Sequence, residues 1–498
     1  MKRIYNRYLG SILLCIIASV VSSCKLNEEV YSSIYTENYY QTSTDAEKAL
    51  IAAYSGLSGL ASGPAILMAS DYSADQIYPR AVVGRNTYTL FSYDVNYTTQ
   101  KSNSRTFESP QQIWTSCYSG IEKANWVIAK VPAISMDETR RAQIVGEAYF
   151  LRAFYLWTLA KNFNEVPVKT TPSTSLDNAY VEKSSKADVY KQIYADLEQA
   201  LLSGLPSYPD VDKGRPSNEV VSALYAKAAL YNEDWAVALA KAQVVMNSGK
   251  YSLLSDVTNV FKYSEEDNAR TENMWAIEID PISPGVSSQI TSLCGPASSA
   301  GPEYSKTSYG SMFAYQAFFN SFDPSDQRRE LLDTTYVNKS GVTVSQKDIT
   351  PITTDGVLIK KYQDPISSTG TIPNIQLLRY ADMYLIAAEA EARLNGATDL
   401  AYTYINAIRN RAGLDDLQSG LSQSDFIDAV LQERSWEFFG EGDRWYDLTR
   451  TNTFLTVIPN AINTVYPTRT PQAKHRYFPI PLDEINANPK LVQNPDWQ

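Results

Sequence analysis

AVLQERSWEFFGEGDRWYDLTR, residues 429–450, sets the side chains of Trp436, Phe438, Phe439, Trp445 and Tyr446 among charges of both signs. Glu433, Glu437 and Glu441 recur every four residues, which on a helix makes one acidic stripe. Like charges at that spacing repel mildly, so the stripe needs cations, and Arg434, Arg444 and Arg450 are the nearest in sequence. Gly440-Glu441-Gly442 predicts the helix end, because glycine tolerates the φ angles required there. Arg444-Trp445-Tyr446-Asp447-Leu448 then starts a second ordered segment. Two readings stand side by side. One is a glycosidase-like acid pair, which needs two carboxyls facing one cleft. The other makes Glu433, Arg434, Glu437, Glu441, Arg444, Asp447 and Arg450 a structural network pinning one helix to its neighbours, and the even alternation of charge favours it.

The chain is long enough, at 498 residues, to bury a large core in up to three domains. Its net charge of −11, with no basic cluster, argues against nucleic acid as a partner. One histidine, His475, removes His-based triads and His-rich metal sites, so carboxylate chemistry is the remaining enzymatic option. Against that single His stand 35 Tyr and 8 Trp, a composition suited to surfaces that are apolar in body and polar at the tip. No cofactor is expected. Asp323-x-Ser325-Asp326 gathers oxygen ligands of the kind calcium prefers, but the favoured reading there is a helix cap, and no metal site is expected.

At the N-terminus Lys2, Arg3 and Arg7 precede an apolar run, Leu9 to Val21, too short for a span of roughly 20 residues. Val21-Ser22-Ser23-Cys24 resembles a bacterial lipobox, in which the Cys24 thiol is acylated and becomes the mature N-terminus. Two or more acyl chains, at about 0.8 kcal/mol per buried CH₂, anchor a protein durably. Glu28-Glu29 resembles the acidic surface-export signal of Bacteroidetes lipoproteins. Cys117 and Cys294 then remain: an exported protein permits a disulfide between them, while the apolar helical setting of Cys117 suits a small buried hydrophobe.

Residues 24–43 read as a lipidated, tyrosine-rich tether. Thr44-Asp45 predicts a helix start, with the helix reaching about Gly56. Residues 71–109 are irregular, apart from strand-like runs such as Thr87 to Phe91, and an excursion of that length is uncommon unless it serves a function. Helices resume at Pro110 and again after Asp137, with hairpins over 186–203, 217–249, 378–413 and 423–440. The hairpins at 217–249 and 378–413 look alike. Each has an alanine-rich first helix, turns at Asn232 or Asn395, and ends at Gly249 or Gly413. Alanine lets helix axes approach closely, as stacked tetratricopeptide hairpins require. Between them lies a Gly/Pro/Ser/Tyr-rich insert, 250–377, with strand-like pieces such as Val357 to Lys361. The expected fold is mainly α: a tetratricopeptide-like helical-hairpin scaffold carrying a large, loop-rich lobe with short strands.

Several blocks resemble one family. Glu433-Arg434, Glu437, Glu441-Gly442, Arg444-Trp445 and Asp447-Leu448-x-Arg450 are similar to the "ER…E…EG-x-RW-x-DL-x-R" block of SusD/RagB-type nutrient-binding lipoproteins. Glu147-Ala148-x-Phe150-Leu151-Arg152-Ala153-Phe154 with Val166-Pro167, and Leu378-Arg379-Tyr380-Ala381-Asp382 with Ala388-Glu389-Ala390, resemble two further blocks. So do Ile405-Asn406-x-x-Arg409-x-Arg411-Ala412-Gly413-Leu414 and the closing Pro479-Ile480-Pro481, Glu484-Ile485, Asn488-Pro489, Gln493-Asn494-Pro495. Gly440, Ser435-Trp436, Asn164 and Asp496-Trp497 depart from the usual pattern. The resemblance implies a signal peptide over 1–23, a tether over 24–43, and two halves, 44–249 and 250–498, of one integrated fold. It implies outer-membrane attachment through lipid, and a SusC-like TonB-dependent barrel as partner.

The implied ligand is an oligosaccharide, or, as in other members, a peptide. Neutral sugars are held by aromatic faces and hydrogen-bonding side chains, and binding residues favour irregular segments. Candidates in the first such segment are Tyr78, Arg80, Arg85, Tyr88, Tyr93, Asn96 and Tyr97; in the second, Tyr304, Tyr309, Phe313 and Tyr315. Both segments interrupt the scaffold, so their aromatics are expected to converge on one shallow site, where losing Tyr97 or Tyr304 weakens binding without altering stability. A glycosidase and a protein-only scaffold are the competing functions.

Overall fold

Thr42, two residues before the expected start, caps the first long helix. Its hydroxyl accepts from the Asp45 N–H at 3.2 Å, while the Asp45 carboxylate accepts from the Thr42 N–H at 2.9 Å, a reciprocal cap that satisfies two orphan donors. The structure, a computed structural model, describes residues 39–82, 84–98, 108–279, 286–297, 301–304, 308–348, 356–366 and 372–498. Cys24, the signal peptide and most of the tether lie outside the described residues. Residues 42–498 make one compact unit.

The scaffold helices are α1 (Ser43–Ser62), α2 (Pro110–Lys130), α3 (Glu138–Phe163), α4 (Lys186–Leu202) and α5 (Asn218–Tyr231). They continue as α6 (Trp235–Asn247), α7 (Tyr380–Asn395), α8 (Asp399–Arg411), α9 (Gln423–Glu437) and α10 (Arg444–Arg450). Each packs against the next in sequence, and α6 packs directly on α7 across the long insert. Ala223, Ala226, Ala228 and Ala229 on α5, and Ala381, Ala387, Ala388 and Ala390 on α7, are fully buried. Their short side chains permit the close axis approach on which such stacking depends. Gly249 and Gly413 close α6 and α8 with φ of 63° and 81°, the left-handed region where a side chain is strained.

Among the described residues four antiparallel strand pairs hold the lobe: β1 (Ile77–Pro79) with β3 (Met312–Ala314), β2 (Asn273–Ile277) with β8 (Ile375–Arg379), β4 (Leu332–Asp333) with β7 (Leu358–Ile359), and β5 (Thr335–Val337) with β6 (Thr343–Ser345). β8 runs straight into α7, so the β2–β8 pair bolts the insert to the scaffold. β1–β3 ties the first irregular segment to the second, with Tyr78 opposite Phe313.

One local expectation fails, and one open pairing is decided. Thr87 to Phe91 is no strand: Asn86–Leu90 forms a short helix, closed by Phe91 at φ 54°. The Thr87 hydroxyl donates to the Gly84 carbonyl and that of Thr89 to the Tyr72 carbonyl, both at 2.8 Å. Such side-chain bonds and burial override a β-branched pattern. Cys117 and Cys294 form no bridge; both are free and buried, as small apolar side chains.

Candidate functional site

The acidic stripe recruits cations from far along the chain rather than its neighbours. α9 ends at Glu437, and Gly440 and Gly442, at φ 72° and 81°, turn Glu441 back toward the same cluster. Arg379, the last residue of β8, reaches Glu272 and Glu437 at 2.9 Å and Glu441 at 2.7 Å. Arg411 shares Glu272 and Glu437, Arg328 holds Asp326 and Glu433 at 2.7 and 2.6 Å, and Lys361 holds Glu441 at 2.7 Å. The sequence-adjacent arginines face elsewhere. Arg434 binds Asp382 and Asp447, Arg450 binds Glu389 and Asp447, and Arg444 grips Asp75 with two bonds of 2.8 and 2.9 Å.

Burial opposes ionisation of Glu437, yet Arg411, Arg379 and Arg328 outweigh it and hold its carboxyl well below the usual range. Glu433 and Glu437 are buried. A general acid needs a raised affinity for its proton and access to substrate. Glu437 meets neither condition, and Glu433 is buried against Arg328 and Arg409, which argues against an acid pair in this block. The oxygens of Asp323 and Asp326 are likewise engaged, by Ser325 and by the Arg328 guanidinium. Among the described residues no cluster of three His, Cys, Asp or Glu is placed to hold a metal.

The two tyrosine-rich segments do meet, through β1–β3, but most of their aromatics face inward. Tyr78, Tyr88, Tyr93, Tyr97, Tyr304, Phe313 and Tyr315 are buried, as is Arg85. Tyr78 packs on Phe313, Tyr315 and Tyr466. Arg85 pairs with Glu108 at 2.6 Å, and the Tyr88 hydroxyl donates to the Glu108 carbonyl at 2.6 Å. Tyr93 stacks among His475, Phe478 and Trp497, while the Tyr97 hydroxyl donates to the Pro479 carbonyl. Burial pushes the phenols of Tyr88, Tyr93, Tyr97, Tyr304 and Tyr315 upward. These residues form the lobe's core and its seam with the C-terminal tail, so the expectation that Tyr97 or Tyr304 stacks on ligand is corrected: removing either opens a cavity.

Three candidates keep solvent access: Arg80, Asn96 and Tyr309. Asn96 sits in a turn closed by Asp94, between Val95 and Tyr97, both bonded to the C-terminal tail. Arg80 and Tyr309 are brought together. The Arg80 N–H donates to the Ser311 carbonyl at 3.1 Å, and its guanidinium to the Tyr309 carbonyl at 3.2 Å. From the other side the Tyr309 N–H donates to Ser292, the Gly310 N–H to Gly295 and the Ser311 N–H to Leu293. Gly310 takes φ 57°, and a Cβ there would lie 2.6 Å from that of Ala297. A backbone fixed on both edges thus presents the Tyr309 ring 48% exposed. The sequence names Tyr309 as a candidate but not Ser292, Gly295 and Ala297, which hold its turn; Gly310 beside an aromatic in an irregular stretch was the available signal.

A helical-hairpin scaffold whose lobe presents a fixed exposed aromatic defines the class. A family model described as "SusD family" matches residues 298–497, and one described as "Starch-binding associating with outer membrane" matches 26–230. The chain belongs to the SusD/RagB family. SusD-like protein P25 of Formosa agariphila is 25% identical over 522 aligned positions, covering 95% of each chain. SusD-like protein P2 of the same organism is 26% identical over 516, covering 96% of this chain and 97% of its own. Among solved structures, a laminarin-binding SusD-like protein superposes with a TM-score of 0.76 at 23% identity, over 92% of this chain and 100% of that one. Surface glycan-binding protein A from Bacteroides thetaiotaomicron, in complex with laminarihexaose, gives 0.73 at 23%, over 91% and 100%. These likenesses establish the fold.

Proposed function

We propose that this protein is a cell-surface, lipid-anchored glycan-binding protein that captures an oligosaccharide at the Tyr309–Arg80 face and delivers it to a SusC-like TonB-dependent transporter. The observation that carries the reading is the Tyr309 ring, half-exposed on a backbone pinned from both sides. Such an aromatic offers its face to a sugar ring with little ordering cost, because its support is already rigid. Arg80, at its side, supplies donors for hydroxyl groups. The names of structural neighbours that bind laminarin and laminarihexaose support the ligand class, and the outer-membrane description of the N-terminal family model supports the location. The lipobox at Cys24 supports the anchor. Binding without turnover is part of the proposal, in keeping with carboxylates of the 433–447 block that are committed to arginines.

The test is titration calorimetry of the full chain against laminarihexaose, maltoheptaose and a peptide set, with the sugars then recovered and sized. A glycan is expected to bind at micromolar to millimolar strength, roughly −8 to −4 kcal/mol, and to be returned intact. Tyr309→Ala should weaken it by roughly 1–3 kcal/mol at an unchanged melting temperature. Peptide binding alone, or shortened glycans, would overturn the proposal.

A further inference from the structure

Two clefts adjoin on the lobe, and the same ridge, Phe261-Lys262-Tyr263, borders both. The first holds about 40 Å³ and the second about 380 Å³, so the second is the one within the size range of small-molecule sites. The first is floored by Trp275 and lined by Lys213, Glu266, Arg270, Glu278 and Asn374. The second is lined by Thr258, Glu330, Lys360, Gln363 and Ile366. On the ridge the Tyr263 ring is 43% exposed, and across the second cleft Ile366 is 60% exposed.

The ridge is built to stay put. Asp256 accepts from the Thr258 N–H and hydroxyl at 2.8 and 2.7 Å, the Glu265 N–H donates to the Lys262 carbonyl, and Asn273 donates to the Val260 carbonyl. Phe261, its inward-facing root, lies beneath Lys361 and Arg379 at 4.6 and 5.5 Å, so the buried charge network clamps the ridge from below. In the first cleft the Asn374 amide donates to both Glu266 and Glu278, at 2.8 and 2.7 Å. Gly214 at φ 74° makes room there: a Cβ would stand 3.0 Å from the Glu278 Cγ.

We propose that the second cleft, edged by Tyr263, forms a second oligosaccharide-contacting site, lined by none of the residues of the Tyr309–Arg80 face. The chemistry selects a neutral sugar. The cations of this cleft have carboxylates beside them: Lys360 sits between Glu303 and Asp333, and Lys262 lies 3.9 Å from Asp256. The field is therefore balanced rather than set for an anion, and mixed donors and acceptors match hydroxyl groups, which are both. Tyr263 supplies the apolar platform at the edge of the cleft, with Ile366 on its lining.

This site rests on the glycan-binding reading above, and the experiment separates the two. Calorimetry of the full chain with laminarihexaose and with maltoheptaose is run on the unaltered protein, Tyr263→Ala, Ile366→Arg and Tyr309→Ala. Both ring and isoleucine are exposed, so all variants are expected to melt normally. Tyr263→Ala and Ile366→Arg should each remove one of two binding events, or weaken a single one by at least about tenfold. Tyr309→Ala should leave the Tyr263-dependent event in place. Loss of binding confined to Tyr309→Ala, with the other two variants unchanged, overturns the second site alone. Failure of the unaltered chain to bind either glycan overturns both sites.

Discussion

Glu278 meets its cleft with a carboxyl pushed up to about 7 from an ordinary 4.5, first by burial and then by Glu266, with the Asn374 bond opposing. Between those two values the folded chain holds a proton that the unfolded chain has released, so stability falls as pH rises from 4.5 to 7. Glu278→Gln removes that dependence. The variant should match wild type near pH 4 and exceed it at pH 8 by up to about 3 kcal/mol, read from denaturant midpoints at each pH. Parallel curves across the window would refute the assignment. Arg444 shows the opposite case. Burial resists ionisation of Asp75, and the Arg444 guanidinium overrides it, holding that carboxyl below its usual range. Arg444→Ala strands Asp75 and should cost roughly 3–5 kcal/mol in chemical denaturation. A variant that melts like wild type and loses only glycan binding would move this residue from the framework to the site.

At the scale of elements, the turn 308–311 is suspended between β1 and the short helix Ile290–Cys294. Gly310 is the residue that lets it pass Ala297. Gly310→Ala adds the left-handed strain of about 1–2 kcal/mol and a backbone clash. It should lower the melting temperature and weaken glycan binding together, since the turn that aims Tyr309 must shift. Binding that survives intact would show that Tyr309's placement does not matter. The elements were mostly readable in advance: helix starts at Pro110 and after Asp137, the alanine-rich hairpins, and the glycine closures follow from local rules. The short helix Asn86–Leu90 was not, because its stability comes from Tyr72 and Gly84, residues outside its own pattern.

For the whole molecule, the helices stack in sequence order, and the lobe joins them through the β2–β8 ladder that feeds α7 and through the pairs of Arg328 with Glu433 and Lys361 with Glu441. The proposed membrane anchor lies at the N-terminus, at the lipobox cysteine. Cys24→Ala should shift the protein from the detergent phase to the aqueous phase on Triton X-114 partitioning; unchanged partitioning would sink the lipid-anchor proposal.

The sequence alone determined what depends on neighbours along the chain: helix periodicity, caps, the alanine faces that permit stacking, and the charge alternation around Glu437 that calls for cations. It also named Tyr309. Tertiary structure decided which cations answer. Arg379, Arg411 and Arg328 reach Glu437 from positions 58, 26 and 109 residues away, separations that no local pattern encodes. It also decided which tyrosines see solvent. Tyrosine suits a wet surface and a hydrogen-bonded core equally well, because its ring is apolar and its hydroxyl needs a partner. Tyr97 found Pro479 382 residues away, whereas Tyr309 was held outward by bonds made only by its backbone and its neighbours'.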